Sequence, residues 1–492
     1  MAEYPELKLL IGGEWISRPG AQVINPADET TIGTVPHATT ADLAAAVAAA
    51  EQGFKVWRST APAKRAEIIL KAVAIMRQRV EMVDGKKLWM LGYKDLGGGL
   101  CTSFPGDPNS SCSGARIPGP VLRVKHNQRV KITIDNLRAE PHGFEVTGFP
   151  DSKIEIAANG CCSVTFTASQ TGTFIYHDNL GGSPLYRLLG LHGAFIVQPD
   201  YAALAAGALI TPYSADQLTQ AVRTIFEALG DVTKVNGRFP GGKWVPAEIG
   251  QPFSPQEKIW VQAQVDPRFN ALLEGNDSDP IQSNPSLTSS IWDTWTPRYF
   301  TINGRSGFDL SKHEDVVAKN FIGEPTLFRC LNVGLAHHAN HLHGNHVFEL
   351  AEGLPVLDAS GRNVNSGAMA VLDNIPERDV WPMWPMQRCD MLLPYEVPPD
   401  IPHDIKVGGV ALPRQFDAMV ARGISIDTQP PPLVTAFEPF PLRYVMHCHC
   451  EMSQTASGGN YPQGLVTHWE VLGGIGGRAQ LAAAGGSSSS GG

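Results

Sequence analysis

Residues 444–453 read YVMHCHCEMS, two histidines around one cysteine with a second cysteine just beyond. Side chains on an extended strand point alternately to opposite faces. A strand here therefore sends His447 and His449 one way and Cys448 the other. A second run, AHHANHLHGNHVFEL at 336–350, obeys the same parity. His341 and His343 share a face, and His338 lies on the opposite one. Laid side by side, the two segments sort their donors into an all-imidazole group (His341, His343, His447, His449) and a thiolate–imidazole pair (Cys448, His338). Donors split between two faces imply more than one metal ion. The whole chain has 15 histidines, and five of them fall in that second run, which is not how isolated core histidines are scattered.

Two further histidines sit in short β-like stretches, His142 in AEPHGFEV (139–146) and His177 in GTFIYHDN (172–179). A thiolate with imidazole on a constrained β scaffold favours copper, as does a cluster of imidazoles near open positions. Zinc also takes Cys and His, but the paired Cys-x2-Cys spacing of structural zinc sites is missing from this sequence. His346 reads as a surface or supporting residue, and His126 and His192 as packing or turn residues. The Trp/Met-rich stretch ERDVWPMWPMQRCDM (377–391) reads as a packed aromatic cluster rather than a copper(I) loop.

The rest of the chain reads as mainly β. Its 50 glycines and 38 prolines punctuate short alternating runs rather than forming one tract. Such runs include VLRV and VKITI within 118–137, CCSVTFTASQTGTFIYHDN (161–179) and HGAFIVQP (192–199). Residues 86–200 are expected to form one antiparallel β-domain and 298–475 another. Between them, 201–297 is a linker, a reduced middle domain or an added strand of the next domain; it contains a helical stretch at 214–232 and a strand at 257–266. Residues 1–84 differ, with a capped Ala-rich helix in ATTADLAAAVAAAEQGFKVW (38–57) and a second helical pattern over 61–83. The Gly/Ser end, 476–492, reads as a flexible tail.

A net charge of −9 without a basic stripe argues against nucleic acid as a partner. No stretch of eighteen apolar residues is present to span a membrane. The first residues lack the pattern of a secretory leader, which places the chain as written in the cytoplasm. Cys101 and Cys112 flank a Gly/Pro/Ser loop and would pair in an oxidising compartment, while Cys161 and Cys162 read as small buried hydrophobes.

Two family resemblances follow from these residues. LLIGGEWISRPG, VINPADETTIGTVPHATTADLAAAVAAA and FKVWRSTAPAKRAEIILKAVAIMRQR resemble the extreme N-terminus of aldehyde dehydrogenases. The likeness stops near Val83, before that family's nucleotide-binding and nucleophile motifs, so it implies a docking fragment or a fusion and not dehydrogenase chemistry. Over about 86–475, IPGPVLRV, GTFIYH and GEPTLFRCLNVG, together with the four histidine patches in their order, resemble the laccase-like multicopper oxidases. That resemblance implies cupredoxin-like Greek-key β-sandwiches. It puts Cys448 and His338 at a type 1 copper, His341 at a type 2 copper, and His142, His177 and His449 at one type 3 copper, with His343 and His447 at the other. Phenols, aromatic amines or reduced metal ions would give electrons one at a time, and O2 would be reduced to water beside His447, Cys448 and His449. It also implies a periplasmic or secreted setting if a leader has been lost.

The sequence departs from the family pattern at several ligand positions. Glu140-Pro141-His142-Gly143 stands where the family has His-x-His-Gly, and His177-Asp178-Asn179 where it has His-x-His. Ser453 stands where a histidine is expected, or Asn460 if the loop is longer, which would make Leu465 the apolar axial neighbour. Glu140 offers a carboxylate and Asn179 an amide oxygen in place of the missing rings. His468 would replace the lost type 1 histidine only against strand parity. Two functions are therefore expected: an oxidase with altered ligands, or a copper-binding cupredoxin protein without oxidase activity. A homotrimer in which patches one and two of one copy meet patches three and four of the next would close the cluster, as would a monomer if 201–297 is a true middle domain.

Overall fold

The computed structural model describes residues 6–24, 30–61, 63–69, 71, 90–94, 116–231, 233, 239, 241–249, 254–270, 295–354, 367–396, 406–407, 410–411, 440–454 and 464–477. The expected pairing of Cys101 with Cys112, the end of the second N-terminal helix, Asn460 and nearly all of the tail lie outside these residues. The chain divides into two compact units, 1–86 and 87–492.

In the first unit, the strands Gly20–Ile24 and Thr31–Pro36 pair antiparallel, as do Leu9–Ile11 and Glu14–Ile16. They precede α1 (Thr40–Ser59), which starts on a capping box: the Thr39 side chain accepts from the Asp42 backbone N–H, and Asp42 accepts from that of Thr39. The Arg18 guanidinium, 2.6 Å from Asp42, holds that carboxyl well below the usual range, with Thr39 adding to the effect. Residues 63–69 are helical, as the pattern over 61–83 predicts. Among the described residues of this unit Asp42 alone is buried, while Trp15, Leu43, Phe54 and Val56 are each more than 60% exposed. A unit so small that buries so little apolar surface has no core of its own among those residues.

The second unit is mainly β. Its first group of strands is β1 (Leu122–Lys125), β2 (Arg129–Asp135), β3 (His142–Val146), β4 (Phe149–Ile156), β5 (Cys161–Thr167), β6 (Gly172–His177) and β7 (His192–Gln198). Its second is β8 (Glu257–Val265), β9 (Tyr299–Ile302), β10 (Lys319–Asn320), β11 (Thr326–Asn332), β12 (His338–Leu342), β13 (Val347–Gly353), β14 (Val380–Met383), β15 (Arg388–Leu393), β16 (Leu442–Cys448) and β17 (Val466–Val471). The first sheet runs β1-β7-β6-β3-β4, with β2 and β5 paired as a ribbon over it. The second runs β9-β8-β11-β15-β13, and the third β10-β17-β16-β12-β14.

Alternation of side chains builds these sheets into layers. Phe174 and Tyr176 of β6 face the ribbon with Phe144, Val164 and Phe166, whereas Ile175 between them packs on Ile259, Val261 and Leu331 of the second sheet. The even residues of that sheet, Trp260, Phe328 and Cys330, turn the other way and pack against Leu342, Met383, Met446 and Cys448 of the third. Strands buried on both faces carry apolar side chains toward each, as Phe174, Ile175 and Tyr176 do in β6 and Leu327, Phe328, Cys330 and Leu331 in β11. These sandwiches bear out the mainly β, cupredoxin-like class expected.

Three details differ from expectation. Residues 86–200 are not wholly antiparallel, because β1 and β7 run parallel at the edge of their sheet. Cys161 is exposed and Cys162 half-buried, since the ribbon covers only one of its faces. The helix expected at 214–232 is shorter, α2 (Gln220–Ala228), because the Thr219 side chain caps its start by accepting from the Val222 N–H and Gly230 adopts φ 78° just past its end. The strand expected at 257–266 is β8, and it joins the second sheet beside β9 and β11.

Candidate metal centre

In the third sheet, β12 and β16 are antiparallel neighbours in a register that sets His341 opposite His447 and Asn340 opposite Cys448. The face turned to the second sheet carries His338, Asn340, Leu342, Met446 and Cys448, all buried. The other face carries half-buried His341 and His447, and exposed His343 and His449 lie at its edge. The ring of His341 lies 4.6 Å from that of His343, 5.3 Å from that of His447 and 5.0 Å from that of His449. Nε2 of His343 and Nε2 of His447 are 3.3 Å apart. Donor atoms of His341, His343 and His447 all lie within 4.8 Å of one another, close enough for one ion to reach all three.

On the buried face, the Cys448 sulfur is 3.7 Å from Nδ1 of His338 and 3.3 Å from the Ala339 N–H that donates to it. A hydrogen bond with Cys450 and the His338 imidazole hold the Cys448 thiol below the ordinary thiol range against the opposing effect of burial; the same contact pushes Cys450 up. Leu465 is fully buried, and its carbonyl accepts from the Cys448 N–H at 3.0 Å. Ser453 is buried too, its carbonyl accepting from the Leu465 N–H at 2.7 Å. His468 is bound at 2.9 Å to Glu470 and does not join Cys448.

His142 and His177 sit at the start of β3 and the end of β6, both buried. Asp178, fully buried, accepts from Nδ1 of His142 at 2.6 Å and from the backbone N–H groups of Gly143 and Leu180 at 3.0 and 2.9 Å. Gly143 is required there: a Cβ would stand 2.7 Å from the Leu180 nitrogen. Nδ1 of His177 donates to the Asp178 carbonyl at 3.0 Å. Each ring is thus anchored at Nδ1, and each Nε2 is buried without a hydrogen bond. Glu140 lies 3.5 Å from Nε2 of His142, with one oxygen on Arg138 and the other unpartnered. Glu145 approaches Nε2 of His177 to 3.2 Å; burial raises its pKa, but His177, Asn179 and Lys153 together bring it below the ordinary carboxylate range. Among the described residues no ring contact or hydrogen bond joins His142 or His177 to the four imidazoles of the third sheet.

The donor set fits copper or a similar ion. Nδ1 of His142, His177 and His447 donates to a carboxylate or carbonyl oxygen of Asp178 or Cys448, and Nδ1 of His341 donates to the Asp379 carbonyl at 2.9 Å. That leaves the Nε2 lone pair for a metal, the polarity that supporting hydrogen bonds give ligating histidines. Partial burial and the neighbouring rings hold His343 and His447 below the ordinary imidazole range. Elsewhere, the His337 ring lies 5.5 Å from that of Trp384, and His346 is half exposed within 3.5 Å of Glu377 and Asp379. Trp381, Met383 and Met391 are buried in the core. Two contributors were not foreseen, Asp178 and Gln264, whose carboxamide meets His338 at 2.6 Å. Asp178 carried a signal, a carboxylate directly after His177; Gln264 carried none.

Residues 111–201 match the family model for multicopper oxidases, and residues 15–88 match that for the aldehyde dehydrogenase family. Both resemblances read from the residues are met. The chain is 30% identical over 128 residues to malonate-semialdehyde dehydrogenase 2 of Bacillus mycoides (strain KBAB4), covering 24% of this chain and 26% of that protein. It is 36% identical over 78 residues to malonate-semialdehyde dehydrogenase of Lacticaseibacillus casei, covering 15% and 16%. The chain thus spans about a quarter or less of the length of these curated relatives. Among solved structures it is similar to a blue copper oxidase from Nitrosomonas europaea (TM-score 0.42, 15% identity, 72% of this chain and 77% of that one). It is also similar to a copper nitrite reductase from the same organism (TM-score 0.38, 14% identity, 73% and 84%). Among the described residues no helix is long and apolar enough to cross a membrane.

Proposed function

We propose that this chain is a copper-dependent oxidase of the multicopper type. It would take electrons singly from a phenol, an aromatic amine or a reduced metal ion and pass them to O2, forming water. The observation that carries this reading is the split of donors across β12 and β16. Cys448 and His338 face inward, while the rings covalently next to that sulfur, His447 and His449, face outward among His341 and His343. Copper, when bound, supplies the redox couple at both places. The chain's own part is to hold ring nitrogens ready, through Asp178 at His142 and the Asp379 carbonyl at His341, and to keep the Cys448 sulfur beside His338 in a buried layer.

The division into residues 1–84, a first sandwich at 86–200, a connecting segment at 201–297 and a second sandwich at 298–475 belongs to the same proposal. So does assembly. The buried Nε2 atoms of His142 and His177, with Glu140 3.5 Å from the first and Glu145 3.2 Å from the second, suit ligands completed by another copy, and a homotrimer would bring them to the outward imidazoles of its neighbour.

The test is copper loading of the full chain followed by visible and EPR spectra, oxygen uptake on a phenolic donor, and mass in solution. An intense thiolate-to-copper absorption, oxygen uptake and a threefold mass are expected. Full copper without oxygen uptake would favour the second reading, a copper-binding cupredoxin protein, which the substituted positions Glu140, Asn179 and Ser453 support. Zinc alone in the purified protein would defeat both.

A further inference from the structure

His338 differs from His142, His177, His341 and His447 in the polarity of its outer hydrogen bond. Its Nδ1 points to the Cys448 sulfur, so metal binding there needs the Nδ1 lone pair and puts the ring hydrogen on Nε2. Yet Nε2 faces the side-chain nitrogen of Gln264 at 2.6 Å, and an amide nitrogen only donates. The carboxamide cannot be turned over at no cost. Its oxygen accepts from the Leu335 N–H at 2.8 Å and the Ala336 N–H at 3.0 Å, and its nitrogen also faces the Asn332 oxygen at 3.4 Å. Asn332 is pinned in turn, its oxygen accepting from the Gly334 N–H and its nitrogen donating to the Ala336 and Met383 carbonyls. Gly334 makes the seat possible, for a Cβ there would stand 1.7 Å from the Gln264 oxygen. Gln264, Asn332 and His338 are all buried, so no water relieves a donor facing a donor.

We propose that Gln264 is a positioning residue that keeps the ring hydrogen of His338 on Nδ1, where it serves the Cys448 sulfur, and so weakens capture of a metal by this pair. The proposal rests on reading Cys448 and His338 as metal ligands. It makes the inward pair the weaker of the two donor groups: His341 and His447, anchored at Nδ1, turn Nε2 lone pairs outward, whereas His338 offers a hydrogen until the Gln264 amide breaks two backbone contacts.

Two measurements on the full chain test it. In the metal-free, 15N-labelled protein, long-range proton–nitrogen spectra, with His338→Gln to assign the ring, should show hydrogen on Nδ1; hydrogen on Nε2 overturns the proposal. In a cobalt(II) titration followed by the thiolate-to-metal band, Gln264→Glu turns the donor into an acceptor for Nε2–H, and should tighten binding about tenfold or more. A band of equal or weaker affinity in a variant that melts like the parent overturns the proposal alone. No band in either protein at saturating cobalt overturns it together with the reading of Cys448 as a ligand. Should the variant fail to fold, the ring spectra of the parent decide.

Discussion

Asp178 shows how one buried carboxylate can prepare a donor. It accepts from the His142 ring and from two backbone N–H groups, which fixes the ring's orientation and leaves Nε2 as its lone pair. Asp178→Asn keeps the shape but presents an amide hydrogen to Nδ1, moving the ring hydrogen to Nε2. Copper retained at His142 and His177 after dialysis should fall by about 10–100-fold in affinity, while the Cys448 absorption stays. Cys448→Ser should do the reverse, abolishing the thiolate-to-copper band while the EPR signal of copper on the outward imidazoles remains. Each variant reads one face of the donor set, and a loss of both signals in either would contradict their separation.

At the scale of elements, the register of β12 on β16 decides which rings can meet. A slip by one residue would put Cys448 in solvent and two imidazoles in the core, and the buried Leu342 and Met446, paired on the inner face, resist it. Between β3 and the loop after β6 the contact is closer still, because Gly143 lies against the backbone of Asn179 and Leu180. Gly143→Ala should cost about 1–3 kcal/mol, visible as a lower urea midpoint, and should weaken copper retention at His142 because Asp178 loses its backbone donors. An unchanged midpoint would mean that the loop gives way freely.

Across the whole second unit, the sheets are joined by charge as well as by apolar packing. Arg123 of β1 and Arg329 of β11 both reach Glu257 of β8, and Arg329 continues to Asp390 of β15, which accepts from Thr173 of β6. Burial raises the Glu257 carboxyl, but the two guanidinium groups lower it more, to about 2 from 4.5. A folded value below the unfolded one means that this group's contribution is complete above pH 4.5 and is lost as pH falls through about 2. The shift corresponds to about 3 kcal/mol. Urea midpoints at about pH 6 and about pH 3 should therefore converge in Glu257→Gln relative to the parent, and the variant should be less stable by about 3–5 kcal/mol near neutrality, because the buried Arg123 loses its carboxylate partner and Arg329 keeps only Asp390.

Much of this was legible in the residues. Alternation along a strand is local geometry, so His447 and His449 had to part from Cys448 wherever the strand went, and His338 from His341 and His343. The capped helix at Thr40 and the β texture of the rest follow from equally local rules. What tertiary structure decided is the polarity of each ring. Asp178 meets His142 across 36 positions and Gln264 meets His338 across 74, and only the pairing of strands and stacking of sheets brings them together. The parallel edge of the first sheet and the sharing of one strand's two faces between two cores were decided in the same way. A side chain's direction is set by its own backbone, but which nitrogen of an imidazole is free to bind depends on what the fold places behind it.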